Sequence, residues 1–299
     1  MIWRLDYRAH DRFIAPALAT AALWRLLAGL IMATLLYFML NQVYFLFFYG
    51  LSDQNGRSLY QEVLSGASPM AMYMLLFSFG LMILATGVSV RLLHRRPMRS
   101  LIGPVQVARA HFAAVLGLLA LLSLALLLLP PWGMGDALVP NLPVGRWLLL
   151  LPLSLLGVLV QVSAEEILFR GYVQQQLAAR FRSPLIWMVL PSVLFALGHY
   201  LPEVAGDNAL MIALWAGLFG ILMADLTARS GSLGPAIAVH FWNNVSAIVI
   251  ISVPDDLSGL ALYLTPFSMA DEAATRAWLP VDFALMLVAW LTARLAIRR

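Results

Sequence analysis

The chain has 299 residues, of which 62% are hydrophobic and 11% charged, and it carries a formal net charge of +4 at pH 7. This balance excludes an ordinary soluble domain, because too little polar surface would remain to cover its core. Without a single Cys, the chain cannot form disulfides or thiolate metal sites, and its scattered Arg residues leave no footprint for a nucleic-acid partner.

The N-terminal residues predict a short helix that lies on the membrane surface. Arg4, Arg8 and Arg12 recur at every fourth position and would form one basic stripe on that helix. The apolar residues that could face the acyl chains are Ile2, Trp3, Leu5, Phe13 and Ile14. A frayed cytosolic tail is the alternative interpretation.

Eight apolar stretches follow, each close to the roughly 20 residues that a helix needs to cross a bilayer. They are Leu26–Tyr49, Met70–Leu93, His111–Leu129, Trp147–Tyr172, Pro184–Tyr200, Asn208–Thr227, Leu233–Val253 and Val281–Ile297. The sequence therefore predicts an all-α polytopic membrane protein with about eight transmembrane helices, which form a single integral-membrane domain over residues 1–299.

The positive residues indicate how these spans are oriented. All nineteen are Arg, and the cytoplasmic loops of membrane proteins carry an excess of positive residues. With the N-terminus in the cytosol, only Arg57, Arg146 and Arg276 fall on the outer side, where acids such as Asp255 and Asp256 also lie. An even number of spans returns the C-terminus to the same side, so we expect both termini to be cytosolic.

Polar side chains within the spans are candidates for function, because a charge in the hydrocarbon region is costly and needs partners. These residues are His111, Glu165, Glu166, Arg170, His199, Asp225, His240, Asn243 and Asn244. We expect His111 to be an interfacial anchor and Asn243 to pack or hydrogen-bond between helices. Asp225 and Arg229 lie four residues apart and predict an ion pair at a helix end.

The pair Glu165 and Glu166 is the strongest of these signals, because two adjacent carboxylates end an otherwise apolar run. On a helix, Glu166 shares a face with Arg170, whereas Glu165 points about 100° away from it. The spacing therefore predicts that Glu166 is paired with Arg170 and that Glu165 is presented to the interior.

The same four-residue spacing relates Phe195 to His199 and His240 to Asn244. With Glu-Glu-x-x-x-Arg, these patterns resemble the three signatures of the CPBP family of intramembrane endopeptidases, which includes the type II CAAX prenyl proteases and the bacteriocin-processing and immunity-linked Abi proteins. The resemblance covers about Val162 to Val245, and we expect the catalytic core to occupy residues 147–253.

The resemblance implies hydrolysis of a peptide bond by a glutamate mechanism. The implied catalytic residues are Glu165, His199, His240 and Asn244, and the implied supporting residues are Glu166, Arg170 and Phe195. Glu165, with His199 beside it, would bind and deprotonate a water molecule. His240 and Asn244 would donate hydrogen bonds to the developing oxyanion.

A metal ion is the alternative at this site, because Glu165, His199 and His240 could also form a zinc site with an open fourth position. The usual sequence sign of such a site, two His on one helical turn with a Glu between them, is absent. The cofactor is therefore left unknown, and the resemblance to the prenyl-protease branch of the family favours a metal-free mechanism over zinc.

We expect the partners to be the lipid bilayer and a membrane-associated polypeptide, either a prenylated CaaX sequence or a leader peptide. The expected location is a bacterial inner membrane, with the site opening to the cytosol. Two alternatives remain. The same Glu and His cluster could serve a transporter or a proton-coupled channel, although no internal repeat is visible. The second alternative is that the protein is a non-catalytic immunity or scaffold relative on the same fold.

Overall fold

A computed structural model describes residues 7–51, 56–129, 138–254, 256–269 and 271–298. The α-helices are α1 Arg8–Ile14, α2 Leu23–Leu51, α3 Gly56–Ser65, α4 Pro69–His94, α5 Val105–Leu128, α6 Val144–Glu166, α7 Gln175–Arg180, α8 Leu190–Leu197, α9 Pro202–Ala205, α10 Ala209–Ser230, α11 Gly234–Asn244 and α12 Glu272–Ala296. Wider π-helical turns occupy Ile167–Gln174, Leu185–Val189 and Val245–Ile250, and 3₁₀ turns occupy Ala15–Thr20, Met98–Leu101 and Gly206–Asn208. The prediction of an all-α polytopic membrane protein is confirmed.

Helix is present at all eight predicted spans, but two of the helices are short. Within the described ranges, six helical segments are long and apolar enough to cross a membrane: Leu23–Gly50, Pro69–His94, Val105–Leu128, Val144–Arg180, Pro202–Ser230 and Glu272–Ala296. The fifth and seventh predicted spans contain only Leu185–Leu197 and Gly234–Ile250. Both fall below the roughly 20 residues that a full crossing requires.

The ends of these helices follow from caps and backbone chemistry. The last long helix begins at Glu272, well before the predicted Val281, because the side chain of Asp271 accepts a hydrogen bond from the backbone N–H of Ala274 at 3.0 Å. Pro280 lies inside this helix without ending it. The seventh predicted span ends early because the chain changes to an extended strand at Ile251.

A small three-stranded sheet joins the segments that follow α5 and α11. Its strands are β1 Val139–Pro140, β2 Ile251–Ser252 and β3 Tyr263–Leu264, in the order β1-β3-β2. β3 pairs antiparallel to β1 and parallel to β2. The indole N–H of Trp147 on α6 donates to the carbonyl of Val249 at 2.8 Å, which attaches the end of the seventh helical segment to the start of α6.

The short helix α11 lies at the centre of the helical packing. It contacts α5, α6, α10 and α12, and α10 in turn packs against α8. α8 approaches α10 closely at Gly220, where an added Cβ would lie only 2.8 Å from Cβ of Ser192. Residues on α6 and α11 therefore face a common interior.

The N-terminal helix α1 is docked on protein, which corrects part of the surface-helix prediction. Phe13, expected to face acyl chains, is 1% exposed and packs in a cluster with Leu101 and Leu233. The ring of His10 lies 4.5 Å from that of Trp187. The predicted residues Arg4, Ile2, Trp3 and Leu5 lie outside the described residues.

Burial of His10 makes the stability of the protein sensitive to mild acid. Removal from water lowers the pKa of His10 from 6.5 to about 4. The unfolded chain therefore takes up a proton between these pH values that the folded protein does not, and stability falls as the pH falls through this range. The full effect on the free energy of unfolding is about 3 kcal/mol.

Replacing His10 with Gln tests this effect, because Gln does not titrate in this range. We expect the unfolding temperature in detergent to fall less between pH 7.5 and pH 4 for His10→Gln than for wild type. An equal fall in the two proteins would contradict this assignment.

The predicted ion pair of Asp225 and Arg229 is present and buried. Nε of Arg229 donates to both carboxylate oxygens of Asp225, at 2.9 and 2.8 Å. The hydroxyl of Tyr7 and the indole N–H of Trp290 donate to the same carboxylate, at 2.8 and 3.0 Å. This cluster ties α1 and α12 to α10.

His111, which was expected to be an interfacial anchor, lies half-buried on α5.

Candidate active site

Glu166 is the centre of a buried polar cluster between α6 and α11. Its side chain is fully buried, and Oε1 accepts hydrogen bonds from Nη1 of Arg170 at 3.0 Å and from Nδ1 of His240 at 2.9 Å. Oε2 has no hydrogen-bond partner among the described residues. Nη2 of Arg170 donates to the carbonyl of Gly220 at 3.2 Å. The predicted pairing of Glu166 with Arg170 is therefore present, and it extends to α10 and α11.

Glu165 lies on the other side of the same imidazole. Oε2 of Glu165 is 3.4 Å from Nε2 of His240, and the side chain of Glu165 is 14% exposed. Nδ1 of His240 donates to Glu166, which leaves Nε2 directed toward Glu165.

Phe195 connects His199 to this cluster. The ring of His199 lies 4.4 Å from that of Phe195, and Nδ1 of His199 donates to the carbonyl of Phe195 at 2.9 Å. The guanidinium of Arg170 lies 5.0 Å from the centre of the Phe195 ring, and the ring of His240 lies 6.2 Å away. His199 makes no direct hydrogen bond to Glu165 in the described structure, so the predicted pair of these two residues remains a prediction.

Asn244 is held by two amide neighbours. Its Nδ2 donates to Oε1 of Gln161 on α6 at 2.8 Å, and its Oδ1 accepts from Nδ2 of Asn243 at 3.1 Å. Gln161 is 8% exposed and lies one helical turn before Glu165. Sequence reasoning missed Gln161, although a polar residue at this spacing in an apolar run was a usable signal.

Two departures from the α-helix shape the site. The chain widens into π-helical turns directly after Glu166, a feature that is frequent at functional sites. Pro191 lies in the first turn of α8, after another π-helical segment, and α8 ends at Leu197. His199 therefore lies in the turn beyond the helix and reaches the cluster through Phe195.

The predicted zinc ligands do not meet in this conformation. Among the residues that the structure describes, no group of three or more His, Asp and Glu side chains is arranged to hold a metal ion. The two ring nitrogens of His240 face Glu166 and Glu165, and Nδ1 of His199 faces a carbonyl. Zinc requires ligand atoms about 2.0–2.3 Å from one point, so this arrangement does not fit it.

Comparison with known proteins finds a family model that matches this region. Residues 147–246, which include every predicted site residue, match the family model described as type II CAAX prenyl endopeptidase Rce1-like. The resemblance to the CPBP family is confirmed. At the level of this CAAX endopeptidase family, the match supports an intramembrane protease.

One curated relative is similar over a longer stretch. The uncharacterized protein YyaK of Bacillus subtilis is 26% identical over 182 residues, which is 58% of this chain and 58% of that protein. The chain thus matches less than two thirds of the relative's length. No solved structure matches the chain significantly.

Proposed function

We propose that the protein is an intramembrane endopeptidase that hydrolyses a peptide bond of a membrane-associated polypeptide. The observation that carries the proposal is the position of His240, with Nδ1 2.9 Å from Glu166 and Nε2 3.4 Å from Glu165. Amide hydrolysis needs a base for the attacking water and donors for the oxyanion. This cluster, in a region that matches a protease family, offers candidates for both roles.

Glu165 is the proposed base. In this mechanism Glu165 acts as a carboxylate, while Glu166 is paired with Arg170. As the water oxygen attacks the carbonyl carbon, Glu165 takes a proton from it, and His240 and the amide of Asn244 donate to the oxyanion. The proton then passes from Glu165 to the leaving nitrogen as the C–N bond breaks.

His199 is proposed to orient the water. Since Nδ1 of His199 donates to the carbonyl of Phe195, the lone pair on Nε2 is available to accept a hydrogen bond. The water can then donate one proton to His199 and the other to Glu165. Distances in a free enzyme are often longer than those in the complex with substrate, which is consistent with the absence of a direct contact between the two residues.

The proposed substrate lies in or at the membrane, as a prenylated CaaX sequence or a leader peptide. Glu165 is only partly buried, and α8, which precedes His199, exposes the apolar residues Leu190, Val193, Leu194 and Leu197. A lipid-facing surface beside the site supports access for a lipidated or helical substrate. We further propose a bacterial inner membrane, with the site opening to the cytosol.

Peptide hydrolysis by the purified protein in detergent tests this function. The substrates are a prenylated CaaX peptide, its unprenylated form and a leader-type peptide. Wild type, Glu165→Gln and His199→Ala are compared, each with and without a zinc chelator. Equal turnover by the three proteins would overturn the proposal. If both variants lose turnover and the chelator does not change the turnover of wild type, the result supports the glutamate mechanism. If the chelator abolishes wild-type turnover, the result supports the zinc alternative.

We expect Asn244→Ala to lower kcat by about 10²–10³, because it removes a donor that stabilises the oxyanion. The substrate retains its other contacts, so KM should change little. Asn41→Ala is the matched control, since Asn41 is also half-buried in a long apolar helix and donates only to the carbonyl of Tyr37. A kcat for Asn244→Ala within a few-fold of that of the control would exclude Asn244 from the oxyanion site.

A further inference from the structure

Gln161 lies in the site but outside the three sequence patterns. It is 92% buried on α6, one turn before Glu165, and its only hydrogen bond in the described structure is accepted from Asn244 at 2.8 Å. A buried amide in an apolar helix needs a partner, and this partner is 83 residues away on α11. The contact is therefore long-range and specific.

Both ends of the Asn244 amide have a partner in this structure. The terminal torsion of an Asn side chain has a broad, nearly two-fold preference, so a free amide exchanges its donor and acceptor ends readily. Nδ2 of Asn244 donates to Oε1 of Gln161, and Oδ1 of Asn244 accepts from Nδ2 of Asn243. The two contacts together hold the amide with Nδ2 on the side of Gln161.

This orientation matters for an oxyanion. Nδ2 of Asn244 carries two protons, and Gln161 uses one of them. The second proton remains available on the same nitrogen. If the amide were rotated by half a turn, Oδ1 would take the place of Nδ2, and a second oxygen would face the developing negative charge.

We infer that Gln161 is a positioning residue, which holds the Asn244 amide with its N–H group directed to the reacting carbonyl oxygen. The inference rests on the proposed peptidase function and adds a residue to it. Gln161 does not touch the substrate. Its effect on the reaction passes through Asn244.

A double-mutant cycle tests the inference, with Gln161→Met, Asn244→Ala and the double variant. Met has nearly the same shape as Gln and a good helix propensity, so the change removes mainly the hydrogen bond. We expect Gln161→Met alone to lower kcat about five- to tenfold, which is the range for loss of one neutral hydrogen bond, with KM unchanged within about twofold. In the Asn244→Ala background, Gln161→Met should lower kcat by less than about twofold.

Gln174→Met is the matched control. Gln174 is also fully buried, lies in the continuation of the same helix and donates to the carbonyl of Ala224 on α10, without contact to Asn244. We expect this variant to unfold at a lower temperature than wild type and to keep the wild-type kcat. An equal loss of kcat in Gln174→Met and Gln161→Met would show that the effect comes from packing, and would overturn the inference.

The remaining outcomes separate this inference from the function on which it rests. Equal turnover by wild type and Glu165→Gln would overturn the proposed glutamate mechanism, and the positioning role that rests on it. If Glu165→Gln is inactive but the effects of Gln161→Met and Asn244→Ala multiply, only the positioning role is overturned. A rise in KM with unchanged kcat in Gln161→Met would overturn it as well.

Discussion

Replacing Glu165 with Gln should lower kcat for peptide hydrolysis by about 10²–10⁴, which is the usual contribution of a positioned general base. Gln has the same shape and can still hydrogen-bond to Nε2 of His240, but its amide cannot accept a proton from water. Because the side chain of Glu165 is partly exposed and makes no ion pair with Arg170, the variant should fold and unfold as wild type does. Initial rates under saturating substrate, with thermal unfolding in the same detergent, measure both effects.

Glu203→Gln is the control for this experiment. Glu203 is exposed on the short helix α9, outside the cluster around His240. It should retain the wild-type kcat. Retention of more than about half of the wild-type kcat by Glu165→Gln would exclude Glu165 as the base.

Replacing Arg170 with Met should destabilise the protein by about 3–5 kcal/mol, the usual cost of removing one partner from a buried ion pair. Arg170 is 1% exposed, and the fully buried carboxylate of Glu166 would keep only His240 as a donor. The variant also loses the bond to the carbonyl of Gly220 and the contact with the ring of Phe195. Unfolding by denaturing detergent in mixed micelles measures the change.

A second variant separates the unpaired charge from the loss of packing. Changing Glu166 to Gln together with Arg170 to Met removes both charges, so the double variant should be more stable than Arg170→Met alone. Arg99→Met, at an exposed position, should stay within about 0.5 kcal/mol of wild type. A double variant less stable than Arg170→Met would show that the buried charge is not the source of the instability.

Local spacing allowed part of the site to be predicted. The pairing of Glu166 with Arg170 depends on residues four apart in one helix, and such neighbours meet in any regular helix. The contacts of His240 with both glutamates join residues more than 70 positions apart. Spacing within a helix contains no information on how helices rotate against each other, so the order of the donors around Glu166 was not predictable.

Hydropathy predicted where the eight apolar helical segments lie but not the length of all of them. The fifth predicted span ran through Tyr200, whereas the helix ends at Leu197. The seventh ran into β2, where Ile251 is as apolar as a lipid-facing residue. Apolar composition marks burial or contact with lipid, and it does not distinguish a helix from the turn or strand that follows it.

Polar residues at the end of a helix need not be exposed. Gln174, Gln175 and Gln176 follow the fourth predicted span and are almost fully buried. Gln175 accepts a hydrogen bond from Arg96 at 2.6 Å and donates to the carbonyl of Phe13 at the same distance. The amide of Gln175 thus satisfies a backbone carbonyl of the docked N-terminal segment, and no sequence pattern shows that this segment folds back.

The 3.4 Å between Oε2 of Glu165 and Nε2 of His240 also bears on how the protein responds to the electric field of a membrane. An elementary charge that crosses the whole bilayer gains about 2.3 kcal/mol per 100 mV. A proton that moved from one of these atoms to the other would cross roughly a tenth of a hydrocarbon core about 30 Å thick. The field therefore changes the balance between them by only about 0.3 kcal/mol per 100 mV. Peptide hydrolysis at this site should run at nearly the same rate in energised and de-energised membranes.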